Sequence, residues 1–295
     1  MTKLKTDTLD LVKRALKEYS AATISDIDET TVINVAENLL PDILKSNDLD
    51  DTGYGSENEA FLYNLISRRI KDLPIAYLTN RCEFLGIELI SQSGTFIPKK
   101  QTEFLVTTVL DLVQKNFATQ QLLNIIDMCT GIGNIAIAVA INLPKAKVYA
   151  TDISEKAIEI AKKNAAKYHL DQRISFFTGD LFAPLERVNL KGSIDAIICN
   201  PPYIPTAKIK NLSKSIIDYE PLNALDGGWC GLHYYMKVIS GSVDLLKPGG
   251  FLAFEVGGGQ GQSVARLMKR KELYSEAVLV SCPGAGEDIV SCSLL

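Results

Sequence analysis

The chain has 295 residues, of which 46% are hydrophobic and 22% charged, and a formal net charge of −4. This is the composition of a globular protein long enough for one large domain or two unequal ones, and it lacks the basic excess that marks nucleic-acid binders. The six cysteines form no C-x-x-C pair and there are only two histidines, which argues against a disulfide framework or a structural zinc site and for reduced thiols in a cytoplasmic protein.

No apolar core of a signal peptide follows Met1 to Lys5, and the longest apolar run, residues 135–141, is too short to span a bilayer. Leu9, Val12 and Leu16, then Val32, Val35, Leu39 and Leu40, recur at helix spacing. A polar stretch at 46–58 containing Gly53 and Gly55 reads as a loop, after which 59–69 resumes the helical pattern. A helical domain is therefore expected over 1–73. In 74–98 the apolar residues Phe84, Ile87 and Leu89 are spaced by two or three, with Gly86 and Gly94 as punctuation, which predicts a β-hairpin linker.

Over 99–295 helix and strand alternate. Helices are expected at 103–117, 134–142, 154–168 (with Ser154 as N-cap) and 262–271. Strands are expected at 122–128, 147–152, 174–178, 195–199 and 251–256, with further candidates at 276–280 and 289–292. Such alternation predicts an α/β fold with a doubly wound parallel sheet.

The motifs fall at the ends of these strands. Asp127-Met128-Cys129-Thr130-Gly131-Ile132-Gly133-Asn134 ends the first and opens a helix, where glycine lets the backbone approach a ligand. Asp152 ends the second strand and can accept both hydroxyls of a ribose; Asp180, in Thr178-Gly179-Asp180-Leu181, ends the third and can accept from an adenine amino group. The run from Gly131 to Ala136 also satisfies the dinucleotide fingerprint G-x-G-x-x-A, so an NAD enzyme competes. A pyrophosphate, however, needs a helix N-terminus without negative charge, and Asp127 suits the cationic amino-acid end of S-adenosylmethionine better.

The fourth strand runs into Asn200-Pro201-Pro202-Tyr203. Asparagine offers a carbonyl acceptor, proline removes a backbone donor and fixes φ, and tyrosine supplies a flat face. An acceptor-rich lip of this kind suits a substrate presenting N–H groups; the plain alternative is a proline-rich turn. Cys129 and Cys199 are expected in buried strand ends, Trp229 in core packing or as a lid over the pocket, and His233 in a structural role.

The run 127–133 with Asp152 and the N-P-P-Y set resembles the class I methyltransferases, and specifically the HemK/PrmC family of protein-glutamine methyltransferases. Pro74-Ile75-Ala76-Tyr77-Leu78, Phe84-Leu85-Gly86, Phe96-Ile97-Pro98, Thr102-Glu103, Tyr219-Glu220-Pro221 and the stretch from Ala224 to Leu232 look like further segments of that family. The resemblance implies a Rossmann-like doubly wound sheet, a small N-terminal helical domain (1–73) for substrate recognition, a linking hairpin (74–98) and an S-adenosylmethionine-binding domain (99–295). It implies that Asp152 and Ile153 hold the ribose, Asp180 and Leu181 the adenine, and Asp127, Thr130, Gly131 and Gly133 the methionine end. Asn200 and the Pro201 carbonyl would accept the two N–H bonds of the target amide at the edge of the cofactor site, with Tyr203 and Phe96 packing on the substrate. The implied substrate is the glutamine of the Gly-Gly-Gln loop of a peptide-chain release factor, with no direct nucleic-acid or membrane partner.

Some residues depart from the family pattern. Lys99-Lys100-Gln101 replaces the usual Arg-Pro-acid, Asn80 a glycine, and Ile132 a small residue; 285–290 lacks the family's basic residues, and little before Glu59 is similar. Two alternatives follow: a small-molecule amide or amine N-methyltransferase on the same scaffold, and a non-enzymatic cofactor-binding protein.

Overall fold

The computed structural model describes residues 14, 63, 64, 67, 73–78, 80–120, 122–284, 286 and 288–295. The helices expected before residue 73 lie almost wholly outside these. The chain divides into two compact units: 1–81 with 91–93 and 213–219, and 82–90 with 94–212 and 220–295. In the smaller unit, the Arg14 guanidinium lies 4.6 Å from the centre of the Tyr63 ring.

A short hairpin pairs β1 (Arg81–Phe84) with β2 (Ile87–Ile90). Its turn uses left-handed backbone at both Leu85 (φ 51) and Gly86 (φ 74), and the Leu85 N–H donates to Glu103 Oε1 at 3.0 Å.

Then follow α1 (Lys100–Phe117), β3 (Leu123–Met128), α2 (Asn134–Asn142), β4 (Ala146–Asp152), α3 (Glu155–Lys167), β5 (Ile174–Thr178) and β6 (Ile194–Cys199). The last elements are α4 (His233–Ser242), β7 (Leu246–Val256), α5 (Gly261–Lys269), β8 (Val278–Ser281) and β9 (Asp288–Ser293). As expected, α3 begins after Ser154, whose hydroxyl accepts from the Ala157 N–H.

The strands form one sheet in the order β5-β4-β3-β6-β7-β9-β8. The first five are parallel; β9 is antiparallel to both β7 and β8. Alternate residues of each strand feed opposite faces, as the period-two geometry of a strand requires. Ile125, Ala196, Ile198, Phe251 and Ala253 meet α1, α2 and α3 on one face, while Ile126, Ile197, Leu252 and Phe254 meet α4 and α5 on the other. Every residue of β6 is buried, and each large aliphatic side chain so removed from water stabilises the fold by about 1.5–3 kcal/mol.

From β3 the chain winds one way through β4 and β5, then returns to β6 and winds the other way. The carboxyl ends of β3 and β6 therefore flank the switch point, where open α/β sheets bind ligands.

Candidate active site

Above the switch point is a cavity lined entirely by the larger unit, with Phe96, Lys99 and Thr102 on one side. Cys129, Thr130, Gly131, Asp152, Ile153, Asp180 and Leu181 come from the ends of β3, β4 and β5, and Asn200 to Ile204 from the end of β6. It is a cleft open to solvent on one side, where the carboxyl ends of four strands converge.

The turn after β3 is held from below. Asp127 is fully buried, and its Oδ2 accepts from the Thr130 hydroxyl at 2.5 Å and the Ala136 N–H at 3.0 Å. Desolvation pushes its carboxyl up to about 7, against those two hydrogen bonds. Cys129 (φ 62), Gly131 (φ 55) and Gly133 (φ 85) carry the chain through left-handed conformations into α2. A Cβ on Gly133 would meet the Ala161 Cβ at 3.1 Å, so glycine is needed both for its φ and for helix packing. Asp127 and Gly133 stand behind the cavity lining, whereas Thr130 and Gly131 are part of it.

Asp152 reaches across the same turn. Its Oδ2 accepts from the Gly131 N–H at 2.8 Å and its Oδ1 from the Ser154 N–H at 2.9 Å; burial nevertheless pushes its carboxyl upward. Ile153 projects apolar surface beside it, 58% exposed. On the next loop Asp180 pairs with the Lys237 ammonium at 3.2 Å. Three backbone N–H groups, of Gly131, Ile153 and Ser154, bond the Asp152 carboxylate, which leaves it acceptor capacity for a ribose hydroxyl, and Ile153 and Leu181 supply apolar surface for a purine, so the site fits the nucleoside part of S-adenosylmethionine.

The lip after β6 is fastened from behind. The Gln260 side chain donates to the Tyr203 carbonyl at 2.9 Å, the Gly227 N–H donates to the Ile204 carbonyl at 2.8 Å, and the Tyr203 ring lies against Gly257. A Cβ on Gly227 would sit 2.7 Å from the Tyr203 Cα and 2.8 Å from the Pro202 carbonyl. Asn200 donates from Nδ2 to the Thr102 hydroxyl at 3.1 Å. Thr102 is 1% exposed. This bond takes up one of the two N–H groups of Nδ2, while no hydrogen bond to Oδ1 occurs among the described residues.

The loop between β6 and α4 completes the wall with Pro221, Asn223, Ala224 and Leu225, and α4 adds Tyr234. At the rim, the Lys99 ammonium lies 5.3 Å from the centre of the Phe96 ring. Burial raises the Glu220 carboxyl and the charge of Lys99 opposes that rise.

Residues 88–226 match the Methyltransferase small domain family. The chain is 40% identical over 223 residues to the release factor glutamine methyltransferase of Moorella thermoacetica, covering 75% of this chain and 76% of the relative. The chain belongs to the release factor glutamine methyltransferase family. The enzyme of the same description from Clostridium acetobutylicum is 35% identical, covering 72% of this chain and 73% of that one. For that from Clostridium botulinum the identity is 33% and the shares are 86% and 89%. The fold agrees with solved methyltransferases at low identity. A METTL16 methyltransferase domain superposes with a TM-score of 0.52 at 15% identity, covering 93% of this chain and 94% of that one. A methyltransferase from Pyrococcus furiosus gives 0.50 at 16% identity, with shares of 78% and 98%.

Membership makes the chain an S-adenosylmethionine-dependent methyltransferase and removes the NAD reading, whose fingerprint this glycine turn only imitates. Among the described residues no helix is long and apolar enough to cross a membrane and no cluster of potential metal ligands occurs.

Three expectations need correction. Trp229 is not packed in the core: it is 92% exposed, because the glycines around it hold the loop against the lip by backbone alone. Cys199 is buried, but Cys129 lies one residue past β3 in left-handed backbone, half-buried and lining the cavity. Helix α4 was not expected, since Gly241 and two serines interrupt its apolar pattern, and with it Tyr234 was missed. His233 is exposed, its ring in a T-shaped pair with that of Tyr234, the ring centres 5.2 Å apart. Thr102 drew notice only as part of a Thr-Glu pair; nothing local to it points to Asn200, 98 residues away.

Proposed function

We propose that this enzyme methylates the side-chain amide nitrogen of a release factor glutamine, with Asn200, Pro201 and Tyr203 as the groups that hold the amide. What carries the reading is the Asn200 side chain on the cavity wall, held through one N–H of Nδ2 by the buried Thr102 hydroxyl, with Oδ1 left as an acceptor for a substrate N–H.

S-adenosylmethionine, when bound, supplies a methyl group activated by the adjoining sulfonium. Asp152 and Ile153 hold its ribose, Asp180 and Leu181 its adenine, and Thr130 and Gly131 its methionine end, with Asp127 and Gly133 shaping the turn from beneath. The problem left to the protein is the nucleophile, because the lone pair of an amide nitrogen is delocalised. Asn200 Oδ1 and the Pro201 carbonyl accept the two N–H bonds and fix the nitrogen's direction. They also stabilise the positive charge that develops on it. Pro201 and Pro202 bring no N–H of their own to compete for these acceptors. Tyr203 and Phe96 flank the flat amide. The methylated nitrogen is strongly acidic and loses its proton to water after transfer, so no basic side chain is required beside it.

The release factor is the preferred acceptor over a small-molecule amide because relatives bearing that description match along most of their length. Residues 1–73 act as the recognition domain, 74–98 as the linker and 99–295 as the catalytic domain of a cytoplasmic enzyme without direct nucleic-acid contact. The test incubates the enzyme with methyl-labelled S-adenosylmethionine and a release factor, then locates the label by mass spectrometry. Label on the glutamine of the Gly-Gly-Gln loop, abolished by Asn200→Ala, is expected. Absence of label with the wild-type enzyme, alongside a working relative as control, overturns the substrate.

A further inference from the structure

Trp229 is 92% exposed, yet its mounting is rigid. Gly228 donates its N–H to Asp226 Oδ1 at 2.9 Å, and the same oxygen accepts from the Thr206 hydroxyl at 2.7 Å. The Thr206 N–H donates to the Gly228 carbonyl at 3.0 Å, the Gly231 N–H to that carbonyl at 3.1 Å, and the His233 N–H to the Gly227 carbonyl at 3.1 Å. The backbone that carries the exposed indole is thus braced against the segment that follows the catalytic lip. On the same loop Leu222 is 57% exposed next to Pro221 and Asn223 of the cavity wall. Lys208 and Lys210 are exposed on the helical turn Thr206–Asn211 that Thr206 begins.

We propose that Trp229 is the anchor of a docking surface for the folded body of the protein whose glutamine enters the cavity; this rests on the function proposed above. The occupant is identified by continuity: the surface adjoins the lip that the substrate must cross, and Trp229 does not line the cavity that receives the amide. A large aromatic side chain with only two χ angles, carried on a braced backbone, loses little freedom on binding, which is how a few aromatic residues come to dominate interfaces. The complementary face carries an apolar socket for the indole, with carboxylates placed for Lys208 and Lys210.

The experiment measures methylation of an intact release factor and of a short peptide spanning its Gly-Gly-Gln loop, with the wild type, Trp229→Ala and the double variant Lys208→Glu, Lys210→Glu. Trp229→Ala is expected to raise KM for the intact protein by about thirtyfold, the loss typical of a hot-spot aromatic, and to leave the peptide's kcat/KM and the affinity for S-adenosylmethionine unchanged. The charge reversal is expected to slow association with the protein alone, in a salt-sensitive way. Trp229 is the sole tryptophan, so its 5-fluorotryptophan form gives one fluorine resonance, which should move on addition of the intact protein and not of the peptide. Equal losses with both substrates, or no loss with the protein, overturn the docking role. A self-association lost in Trp229→Ala without a change in KM overturns it in favour of a second copy. A wild type that labels neither substrate overturns the glutamine reading itself, and with it this one.

Discussion

Replacing Thr102 by valine removes the oxygen on which the Asn200 amide is hung and keeps the shape of the side chain. Thr102 is buried and sits in the first turn of α1, so a methyl group takes the place of the acceptor now 3.1 Å from Nδ2. Leaving such a donor unsatisfied costs about 1–3 kcal/mol, and rotating the amide to place Oδ1 against the methyl group restores Nδ2 to the cavity. A bias of about 1–2 kcal/mol away from the productive orientation lowers its population, and hence kcat, by roughly five- to thirtyfold. Steady-state methyl transfer should show that fall in kcat for Thr102→Val. Calorimetry should show unchanged affinity for S-adenosylmethionine, because the lost bond belongs to the acceptor side of the site. Thr102→Ser, which retains the oxygen, should keep most of the rate. Full activity in Thr102→Val, or an equal loss in Thr102→Ser, would refute the argument that this hydroxyl orients Asn200.

Asp152→Ala should weaken S-adenosylmethionine binding by about 1–3 kcal/mol, through lost acceptors for the ribose and a looser Gly131 turn; unchanged affinity by calorimetry removes that role. Gly227→Ala should lower kcat at least tenfold with a smaller effect on cofactor affinity, since the new Cβ lies 2.7 Å from the Tyr203 backbone and must move the lip. Rates equal to wild type would mean that the lip is not rigidly seated. Asp127 makes stability depend on pH. With a folded value of about 7 against 3.8 for the free group, the folded protein holds this proton where the unfolded chain has released it. Its contribution is most favourable below about 3.8 and is lost as the pH rises towards about 7. Thermal midpoints of the wild type should therefore fall relative to those of Asp127→Asn between about pH 4 and about pH 7. A constant difference across that range contradicts the assignment.

Much of the catalytic unit is legible along the chain. Helix 134–142 and strand 174–178 occupy the residues that their local pattern marks; the other expected elements shift at one or both ends by one to five residues, with β7 starting before its glycine pair. Asp152 and Asn200 are recognisable because each directly follows or ends a run of apolar strand residues, a relation between near neighbours. The periodicities of 3.6 and 2 that mark helix and strand are likewise local, which is why they survive without knowledge of the fold.

What the tertiary structure alone decides is which distant residues those elements bring together. The antiparallel insertion of β9 between β7 and β8 leaves no local trace, since a strand's own pattern is the same whichever way its neighbour runs. The same holds for Thr102 at Asn200 and Glu103 at the hairpin turn. Two adjacent residues of α1 reach two separate parts of the chain because one helix packs beside both. Trp229 shows the converse: its apolar side chain argues locally for the core, and only the glycine-built contact of its loop with the lip turns it outward. Sequence by itself determined the chemistry available at each strand end; the order of the strands determined which of those groups meet, because side chains far apart in the chain become neighbours only through the sheet and the helices packed upon it.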